Sequence, residues 1–320
     1  MTASGLRVER LSVRYGEFQA VTEASLEVQP GRTLAIVGES GSGKTSLALA
    51  VARLLPPGGR VAAGSIRVGD VDMAALAGAD LRRARGKLVG YIPQDAMAAL
   101  NPVVRAGRQI GEVFELHAGA GKSEGIRRAV GLLAQVGIRE PERVAAAYPH
   151  ELSGGMRQRV MIAMALALEP DVLLADEPTT ALDVTVQAEI LALVQSLQAE
   201  RETTLVWITH DMGVVAELAD DVAVMYGGRV VERGAASDVF RTAAHPYTQA
   251  LLATVESGEI SAKAPFLAIP GNPPVGSVPS GCPFHPRCGS VLAVCPGEMP
   301  ATTTVGPRHT AACHLLQQVA

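Results

Sequence analysis

The chain has 320 residues, of which 48% are hydrophobic and 19% charged, so its composition excludes a disordered protein and favours one large globular domain with additions. The net charge of −4, with scattered basic residues, argues against a nucleic-acid partner. The N-terminus has no apolar segment typical of a signal peptide, and the longest apolar run (160–168) is shorter than the roughly 20 residues that span a bilayer, so we expect a cytoplasmic protein.

The N-terminal elements predict the start of an α/β fold. Residues 6–14 and 24–28 alternate apolar and polar side chains, as half-buried antiparallel strands do. The continuous apolar run TLAIVG (33–38) predicts a strand that is buried on both faces. Residues 44–55 have the apolar spacing of a helix, and two prolines follow them.

A glycine-rich loop connects this strand to this helix. Its sequence GESGSGKT (38–45) matches the phosphate-loop pattern G-x-x-x-x-G-K-[ST] at every fixed position. Glycines let backbone N–H groups converge on phosphate oxygens, Lys44 reaches the β- and γ-phosphates, and the Thr45 hydroxyl can ligate Mg²⁺. The predicted phosphate-binding residues are Gly38, Ser40, Gly41, Ser42, Gly43, Lys44, Thr45 and Ser46.

Short strands and helices alternate downstream, interrupted by one long helical stretch. The predicted elements are short strands with glycine turns at 60–73, helices over about 96–158, a strand at 172–177, a helix at 184–200, a strand at 204–210, a helix at 212–219 and strands over 222–234. Past residue 255 the chain is rich in proline and glycine and has no period. We therefore place a domain boundary between residues 240 and 260.

Two acidic residues end the apolar strand VLLADE (172–177). Because the carboxyl end of a strand in an α/β sheet lies beside the phosphate loop, Asp176 is placed to hold Mg²⁺ and Glu177 to polarise the attacking water. His210 ends the next strand, where a γ-phosphate sensor would sit, although a lone histidine is more often structural. Gln94 also follows a strand-like run, and its amide is a neutral ligand for Mg²⁺ or water. By itself this glutamine does not indicate a function.

The segment ELSGGMRQR (151–159) resembles the signature sequence of ABC-type ATPases, and the other elements occur in that family's order. The resemblance covers about residues 5–240. It implies an α/β fold with an ABC-type nucleotide-binding domain over 1–240, made of a RecA-like P-loop core, an antiparallel β subdomain and a helical subdomain at about 96–158. It also implies ATP hydrolysis with Mg²⁺, and Tyr15 as the residue that stacks on adenine.

Members of this family work as head-to-tail pairs, so the resemblance implies a second ABC ATPase subunit, either a copy or a paralogue. The residues that would contact the partner's ATP are Ser153, Gly154, Gly155 and Asp183. Gln94 and the helical subdomain would couple the ATP site to the membrane. The implied partners are two membrane permease subunits and an extracytoplasmic solute-binding protein, with this chain peripheral on the cytoplasmic face of the cell membrane.

The C-terminal segments AAHPYTQALL (243–252), IPGNPP (269–274) and GCPFHPRC (281–288) resemble the extension of dipeptide and oligopeptide import ATPases. They imply a small irregular extension over 241–320 and peptides as the imported cargo. Nickel or metal-chelate import is the alternative within this branch. Two other classes stay open, namely a non-transport ATPase of the same fold and a redox- or metal-sensing protein.

All four cysteines of the chain lie in this extension. Their spacing, C-x5-C-x6-C-x17-C, lacks the C-x2-C pair of common zinc sites. Four thiolates suit either an iron–sulfur cluster or Zn²⁺, with His285 and His314 as alternative ligands, and a tail without metal also stays open. Resemblance to the peptide importers implies a [4Fe–4S] cluster on Cys282, Cys288, Cys295 and Cys313.

Overall fold

A computed structural model gives the structure of the protein and describes residues 4–180, 182–260, 269–274 and 276–317. The rest of the predicted extension, at 261–268, 275 and 318–320, lies outside the described residues. The chain divides into two units. The first unit is made of Met1–Leu6, Val28–Arg32 and Arg67–Trp207, and the second of Arg7–Glu27, Thr33–Ile66 and Ile208–Ala320.

Strands and helices alternate along the described residues. The strands are β1 (Leu6–Tyr15), β2 (Phe18–Val28), β3 (Thr33–Val37), β4 (Gly59–Val68), β5 (Val71–Asp72), β6 (Val89–Ile92), β7 (Val172–Asp176), β8 (Thr204–Thr209), β9 (Asp221–Tyr226), β10 (Arg229–Ala235), β11 (Thr302–Gly306) and β12 (His309–Ala312). The α-helices are α1 (Lys44–Val51), α2 (Gly78–Lys87), α3 (Ala96–Ala99), α4 (Ala106–Ala118), α5 (Lys122–Gln135), α6 (Pro141–Ala146), α7 (Gly154–Leu166), α8 (Val184–Arg201), α9 (Met212–Leu218), α10 (Ala236–Arg241) and α11 (Pro246–Ile260).

A sheet around β9 organises the second unit. β3 pairs with β9 in parallel, from Leu34↔Asp221 to Val37↔Val224, and both strands are buried throughout. On the other side of β9 come β10, then β12 and then β11, all in antiparallel pairs. The continuous apolar runs of β3 and β9 have a simple cause, because a strand covered on both faces has no side that favours polar residues. β2, β1 and β4 lie side by side in a separate sheet.

Parallel strands and a group of helices form the first unit. β6 pairs with β7 from Val89↔Val172 to Ile92↔Ala175, and β7 is buried at every position. Helices α3 to α7 lie between β6 and β7 in the chain, and α4 and α5 approach each other closely. A Cβ atom on Gly111 would lie 3.0 Å from the carbonyl carbon of Gly125, so the small residues at this crossing let the two backbones meet.

The predicted order of strands and helices is confirmed, with three differences. Helix α1 ends at Val51, before the predicted end at residue 55, and Arg53 then takes a φ of 57°. Helices α2, α10 and α11 were not predicted. The extension predicted as irregular contains the hairpin β11–β12, whose first strand is mostly exposed and polar and therefore shows no apolar alternation. No helix among the described residues is long and apolar enough to cross a membrane.

Candidate functional site

The loop between β3 and α1 has a backbone that excludes side chains at two positions. Gly38 has a φ of 149°, and a Cβ atom there would lie 2.2 Å from the carbonyl oxygen of Met225 in β9. Gly43 has a φ of 100°, and its Cβ would lie 2.5 Å from the carbonyl oxygen of Ala20 in β2. Only glycine fits both sites. The loop therefore packs tightly at the positive end of the α1 dipole, which favours an anion.

The Lys44 side chain lies inside this loop and is buried. Its ammonium donates hydrogen bonds to the carbonyl oxygens of Gly38 at 2.8 Å and Glu39 at 3.0 Å, and to the Ser42 hydroxyl at 3.5 Å. These acceptors compensate a buried charge that would otherwise be costly. Phosphate oxygens form stronger, charge-assisted hydrogen bonds, so the ammonium can exchange carbonyls for phosphate without leaving the loop.

Tyr15, the predicted adenine contact, lies beside the first turn of α1. Its hydroxyl donates to the Ser46 hydroxyl at 3.4 Å, and its ring is half-buried. The ring also lies close to Gly59, where a Cβ would be 2.7 Å from the ring edge. The structure thus brings Tyr15 together with the predicted phosphate-binding residues within the second unit.

Asp176 ends β7 and is 1% exposed. The Tyr91 hydroxyl donates to Asp176 Oδ2 at 3.0 Å. Burial and then the charge of Asp176 raise the pKa of Tyr91 far above its ordinary value, so the phenol keeps its proton and remains a donor. The carboxylate is therefore held in one orientation, with oxygens of the kind that Mg²⁺ prefers as ligands.

Glu177 follows β7 directly and has a φ of 45°, in the left-handed region that side chains seldom adopt. Its Oε2 atom accepts hydrogen bonds from Gln94 Nε2 at 3.3 Å and from Thr180 Oγ1 at 3.1 Å. Strained backbone of this kind is concentrated at functional sites. The structure thus brings Gln94, Asp176 and Glu177 together within the first unit.

The signature segment forms the N-terminus of α7, a helix of 13 residues. Ser153 is the N-cap, and its Oγ accepts a hydrogen bond from the Met156 N–H at 3.3 Å. Ser153 and Gly154 are exposed, and a Cβ on Gly155 would lie 2.9 Å from Val186. An exposed helix start with a hydroxyl and small residues is the arrangement expected for a second anion site.

Asp183 and His210 lie at the ends of other elements. Asp183 is the N-cap of α8, where its Oδ1 accepts a hydrogen bond from the Val186 N–H at 3.0 Å. This cap gives Asp183 a structural role that was not predicted. His210 follows β8 and is exposed, and Asp211 after it caps α9 through a hydrogen bond from Gly213 at 2.8 Å.

The described part of the extension after α11, residues 269–317, is here called the appendix. Cys282, Cys295 and Cys313 are buried and Cys288 is half-buried. The Cys282 N–H donates to the Cys295 carbonyl oxygen at 2.9 Å, and both cysteines join the apolar core that also contains residues of β3 and β9. Cys282 and Cys295 are therefore part of a packed core within the second unit, and Cys288 packs against it.

The pKa values of three of the thiols are raised by burial and by the charges of neighbouring cysteines. Burial, assisted by the charges of the other three cysteines, raises the pKa of Cys282 to about 11, and burial also raises the pKa values of Cys288 and Cys313. The Leu292 N–H donates to the Cys295 sulfur at 3.4 Å. The backbone at Phe284, Ser290 and Leu315 acts against burial and lowers the pKa values of Cys282, Cys288 and Cys313, respectively. Such hydrogen bonds stabilise thiolates.

A single metal ion fits this arrangement poorly. Among the described residues, no three His, Cys, Asp or Glu side chains are placed to hold one ion. Nδ1 of His285 lies 2.9 Å from the Cys282 carbonyl oxygen. The two ring nitrogens of His314 lie 3.1 Å from Gln317 Oε1 and 2.9 Å from the Glu298 carbonyl oxygen. These contacts engage both ring nitrogens of His314 and one ring nitrogen of His285.

Several residues of the site were missed by the sequence reading. The sequence analysis assigns no role to Tyr91 or Thr180, which hold Asp176 and Glu177. Arg287, which lies in the segment GCPFHPRC, was passed over in favour of the cysteines, yet its guanidinium contacts Glu39 of the phosphate loop. Each of them lies within three residues of a predicted site residue, and this proximity of a polar side chain was the sequence signal that could have identified them.

Known proteins match both parts of the chain. Residues 21–180 match the family model of the ABC transporter, and residues 231–295 match the oligopeptide/dipeptide transporter, C-terminal region. The chain is 44% identical to the oligopeptide transport ATP-binding protein OppD of Bacillus subtilis, with 95% of this chain and 87% of OppD covered. It is 43% identical to the dipeptide transport ATP-binding protein DppD of the same organism, with 98% of this chain and 95% of DppD covered.

A solved structure of a dimeric ATP-binding cassette in a post-hydrolysis state, bound to ADP and Pi, is also similar. The TM-score is 0.64 and the identity 28%, with 72% of this chain and 98% of that chain covered. The cassette match includes the phosphate loop, the signature and the buried Asp176, and the second match ends at Cys295. The chain therefore belongs to the ABC transporter family, as an ATPase with the C-terminal region of oligopeptide and dipeptide transporters.

Proposed function

We propose that this chain hydrolyses ATP to power the import of dipeptides or oligopeptides through separate permease subunits. The proposal rests on one observation. The same chain matches both the ABC transporter family and the C-terminal region of oligopeptide/dipeptide transporters. Relatives named for oligopeptide and dipeptide transport match nearly the whole length of the chain, which supports the same cargo class here.

The proposed ATP site assigns each group a role that its local geometry supports. Lys44 binds the β- and γ-phosphates, and Glu177 orients the attacking water and accepts its proton. Mg²⁺, when bound, offsets the negative charge of the phosphates, and the Thr45 hydroxyl, Gln94 and Asp176 are its proposed ligands. The exposed His210 contacts the γ-phosphate. The remaining contacts to ATP come from Tyr15, Gly38, Ser40, Gly41, Ser42, Gly43 and Ser46.

A second ATPase subunit completes each site in this proposal. The exposed N-terminus of α7 offers Ser153, Gly154 and Gly155 to the ATP of the partner, with Asp183 at the interface between the two subunits. The similarity to a dimeric cassette supports pairing of this kind. Hydrolysis then depends on dimerisation, because each site needs groups from both chains.

The remaining partners follow from the transporter family. Two permease subunits hold the ATPases at the cytoplasmic face of the membrane, and an extracytoplasmic binding protein delivers the solute. Gln94 and the helices of about 96–158 make the contact to the permease. The exposed Met97 and Val103, which follow Gln94 by three and nine residues, offer apolar surface for this contact. The proposed domain boundary at 240/241 separates this machinery from the extension.

The cargo assignment can be tested in vesicles that contain this chain, its cognate permease and second ATPase, and the binding protein. We expect peptides to stimulate ATP hydrolysis several-fold, because loaded binding protein drives the transporter through its cycle. Stimulation by nickel chelates but not by peptides would favour the nickel alternative. Failure of the chain to copurify with any permease would favour a non-transport ATPase instead.

We further propose that Cys282, Cys288, Cys295 and Cys313 bind a [4Fe–4S] cluster. Cys282, Cys288 and Cys295 meet at one apolar core, and the charges of the other three cysteines raise the pKa of Cys282, which supports four sulfurs close enough to bind such a group. A cluster of this kind takes four cysteine thiolates as its ligands, and these are the four cysteines of the chain. Bound there, it would cross-link four thiolates; Zn²⁺ is the alternative.

Purification under anaerobic conditions tests this proposal. The protein is expected to be brown, with iron and sulfide in equal amounts. Cys288→Ser should lose most of the iron, whereas the matched variant His285→Asn should keep it. A colourless wild-type protein with stoichiometric zinc would support the zinc alternative, and unchanged transport after replacement of all four cysteines would argue against a sensing function.

A further inference from the structure

Arg287 extends from the appendix to the phosphate loop. Its side chain is 5% exposed, and its two terminal nitrogens donate to the two carboxylate oxygens of Glu39 at 2.6 and 3.0 Å. Glu39 is the second residue of the loop GESGSGKT, and Arg287 directly precedes Cys288. A bidentate ion pair therefore connects the cysteine-bearing segment to the loop expected to bind phosphate.

The guanidinium is fixed at all of its donor atoms. Besides the two bonds to Glu39, Nε donates to the Pro270 carbonyl oxygen at 2.8 Å, and the terminal nitrogens donate to the Tyr226 hydroxyl at 3.1 Å and the Ile269 carbonyl oxygen at 3.2 Å. These contacts use the five N–H groups that an arginine possesses. Lysine cannot reproduce this planar fork, so the position requires arginine for more than its charge.

Glu39 is held at its backbone as well. Its N–H donates to the Tyr247 hydroxyl at 2.8 Å, and its carbonyl oxygen accepts from Lys44 Nζ at 3.0 Å. The ring of Tyr247 packs against Phe284 of the appendix, with centroids 5.3 Å apart. One residue of the loop thus joins the phosphate-binding lysine to the appendix through its carbonyl, its N–H and its carboxylate.

We propose that Arg287 is a positioning residue for the ATP site, and that it makes nucleotide affinity depend on the folded appendix. The inference rests on the proposed binding of ATP by the phosphate loop. Arg287 neutralises a carboxylate that would otherwise repel the phosphates, and it holds the Glu39 carbonyl where Lys44 meets it. Loss of the ion pair leaves Glu39 half-buried without its charge partner, next to an incoming anion.

The coupling must act in both directions, because linkage between two binding events is reciprocal. If the appendix supports ATP binding through Arg287, bound ATP also stabilises the appendix. Backbone amides in residues 282–295 should then exchange their hydrogens more slowly when ATP and Mg²⁺ are present. Because ATP also stabilises the folded chain as a whole, the protection that belongs to the ion pair is the part that Arg287→Lys removes at saturating ATP.

The experiment is a double-mutant cycle in the full-length protein, prepared anaerobically, with the Kd of Mg²⁺-ATP and the steady-state KM and kcat as readouts. Arg287→Lys keeps the charge but loses the fork, and Glu39→Gln keeps the shape but loses the charge. We expect Arg287→Lys to weaken ATP binding at least about fivefold while kcat at saturating ATP changes little. In the Glu39→Gln background the same substitution should change the Kd by less than about twofold, because its target is gone.

Arg308→Ala is the matched control, because Arg308 also joins the appendix to the sheet, through an ion pair of 2.6 Å with Asp221 in β9. This control should leave the Kd for ATP within about twofold of the wild type, as expected for a site without coupling to Arg287. An equal loss in this control, an undiminished effect of Arg287→Lys in the Glu39→Gln background, or no ATP-dependent protection of residues 282–295 would each overturn the proposal. If the wild type itself failed to bind ATP, the proposed function would fail instead.

Discussion

Replacement of Glu177 by glutamine is expected to abolish ATP turnover while ATP binding is retained. The amide oxygen of glutamine can still accept the hydrogen bonds from Gln94 and Thr180 that now reach Glu177 Oε2 at 3.3 and 3.1 Å. The geometry is therefore kept, and only the ability to take a proton from water is lost. General-base catalysis contributes about 10²–10⁴-fold, so kcat should fall by at least about 100-fold. Single-turnover hydrolysis measures this loss, and the Kd of ATP measures binding.

The Glu177→Gln variant should also accumulate as an ATP-bound dimer, because the nucleotide that joins two subunits is no longer hydrolysed. Glu189→Gln is a suitable control, since Glu189 is an exposed acid on α8 that pairs with Arg159 at 2.8 Å. Its kcat should equal that of the wild type. Normal turnover in Glu177→Gln would show that another group activates the water, with His210 the next candidate.

Replacement of Lys44 by alanine is expected to remove nucleotide binding itself. The ammonium is buried and is held by loop carbonyl oxygens that would lose their donor. Truncation of one partner in a buried, hydrogen-bonded charge pair costs about 2–5 kcal/mol. ATP binding should therefore weaken by about 30-fold to about 3,000-fold, since each 1.4 kcal/mol is roughly tenfold. Calorimetric titration with ATP and Mg²⁺ measures the change.

Lys122→Ala provides the matched control, because Lys122 is exposed at the start of α5 and carries the same charge. It should bind ATP as the wild type does. Thermal unfolding without nucleotide shows whether the loop variant is folded, and a folded Lys44→Ala protein with wild-type ATP affinity would refute the role of Lys44.

Much of the ATP machinery was predictable because it is written in short, continuous motifs. A phosphate loop needs glycines at fixed spacing, since a Cβ at Gly38 or Gly43 would collide with the backbone of another strand. A buried parallel strand needs an uninterrupted apolar run, as in β3 and β7. Local backbone requirements of this kind leave a direct trace in the sequence, so these elements and their candidate residues could be located at once.

The remainder depends on contacts between residues that are far apart in the chain. Tyr91 meets Asp176 across 85 positions, and Arg287 meets Glu39 across 248. Helix α2 was missed because it is polar and buries only Ala84, so it has no apolar stripe. The sequence also contained no sign that the proline-rich tail packs into the core beside β9, since its buried cysteines and Phe284 follow no period.

The hairpin β11–β12 protects one edge of the sheet against pairing with other molecules. β12 covers β10 through the pairs Glu232↔Ala311 and Arg233↔Thr310, and β11, a threonine-rich strand, becomes the outer strand on that side. An uncovered β10 would present unpaired N–H and C=O groups to any neighbouring chain, which is a common start of aggregation. A shortened protein that stops after the cassette would expose this edge of β10 and would aggregate more readily. The hairpin therefore also protects the protein against aggregation through strand pairing.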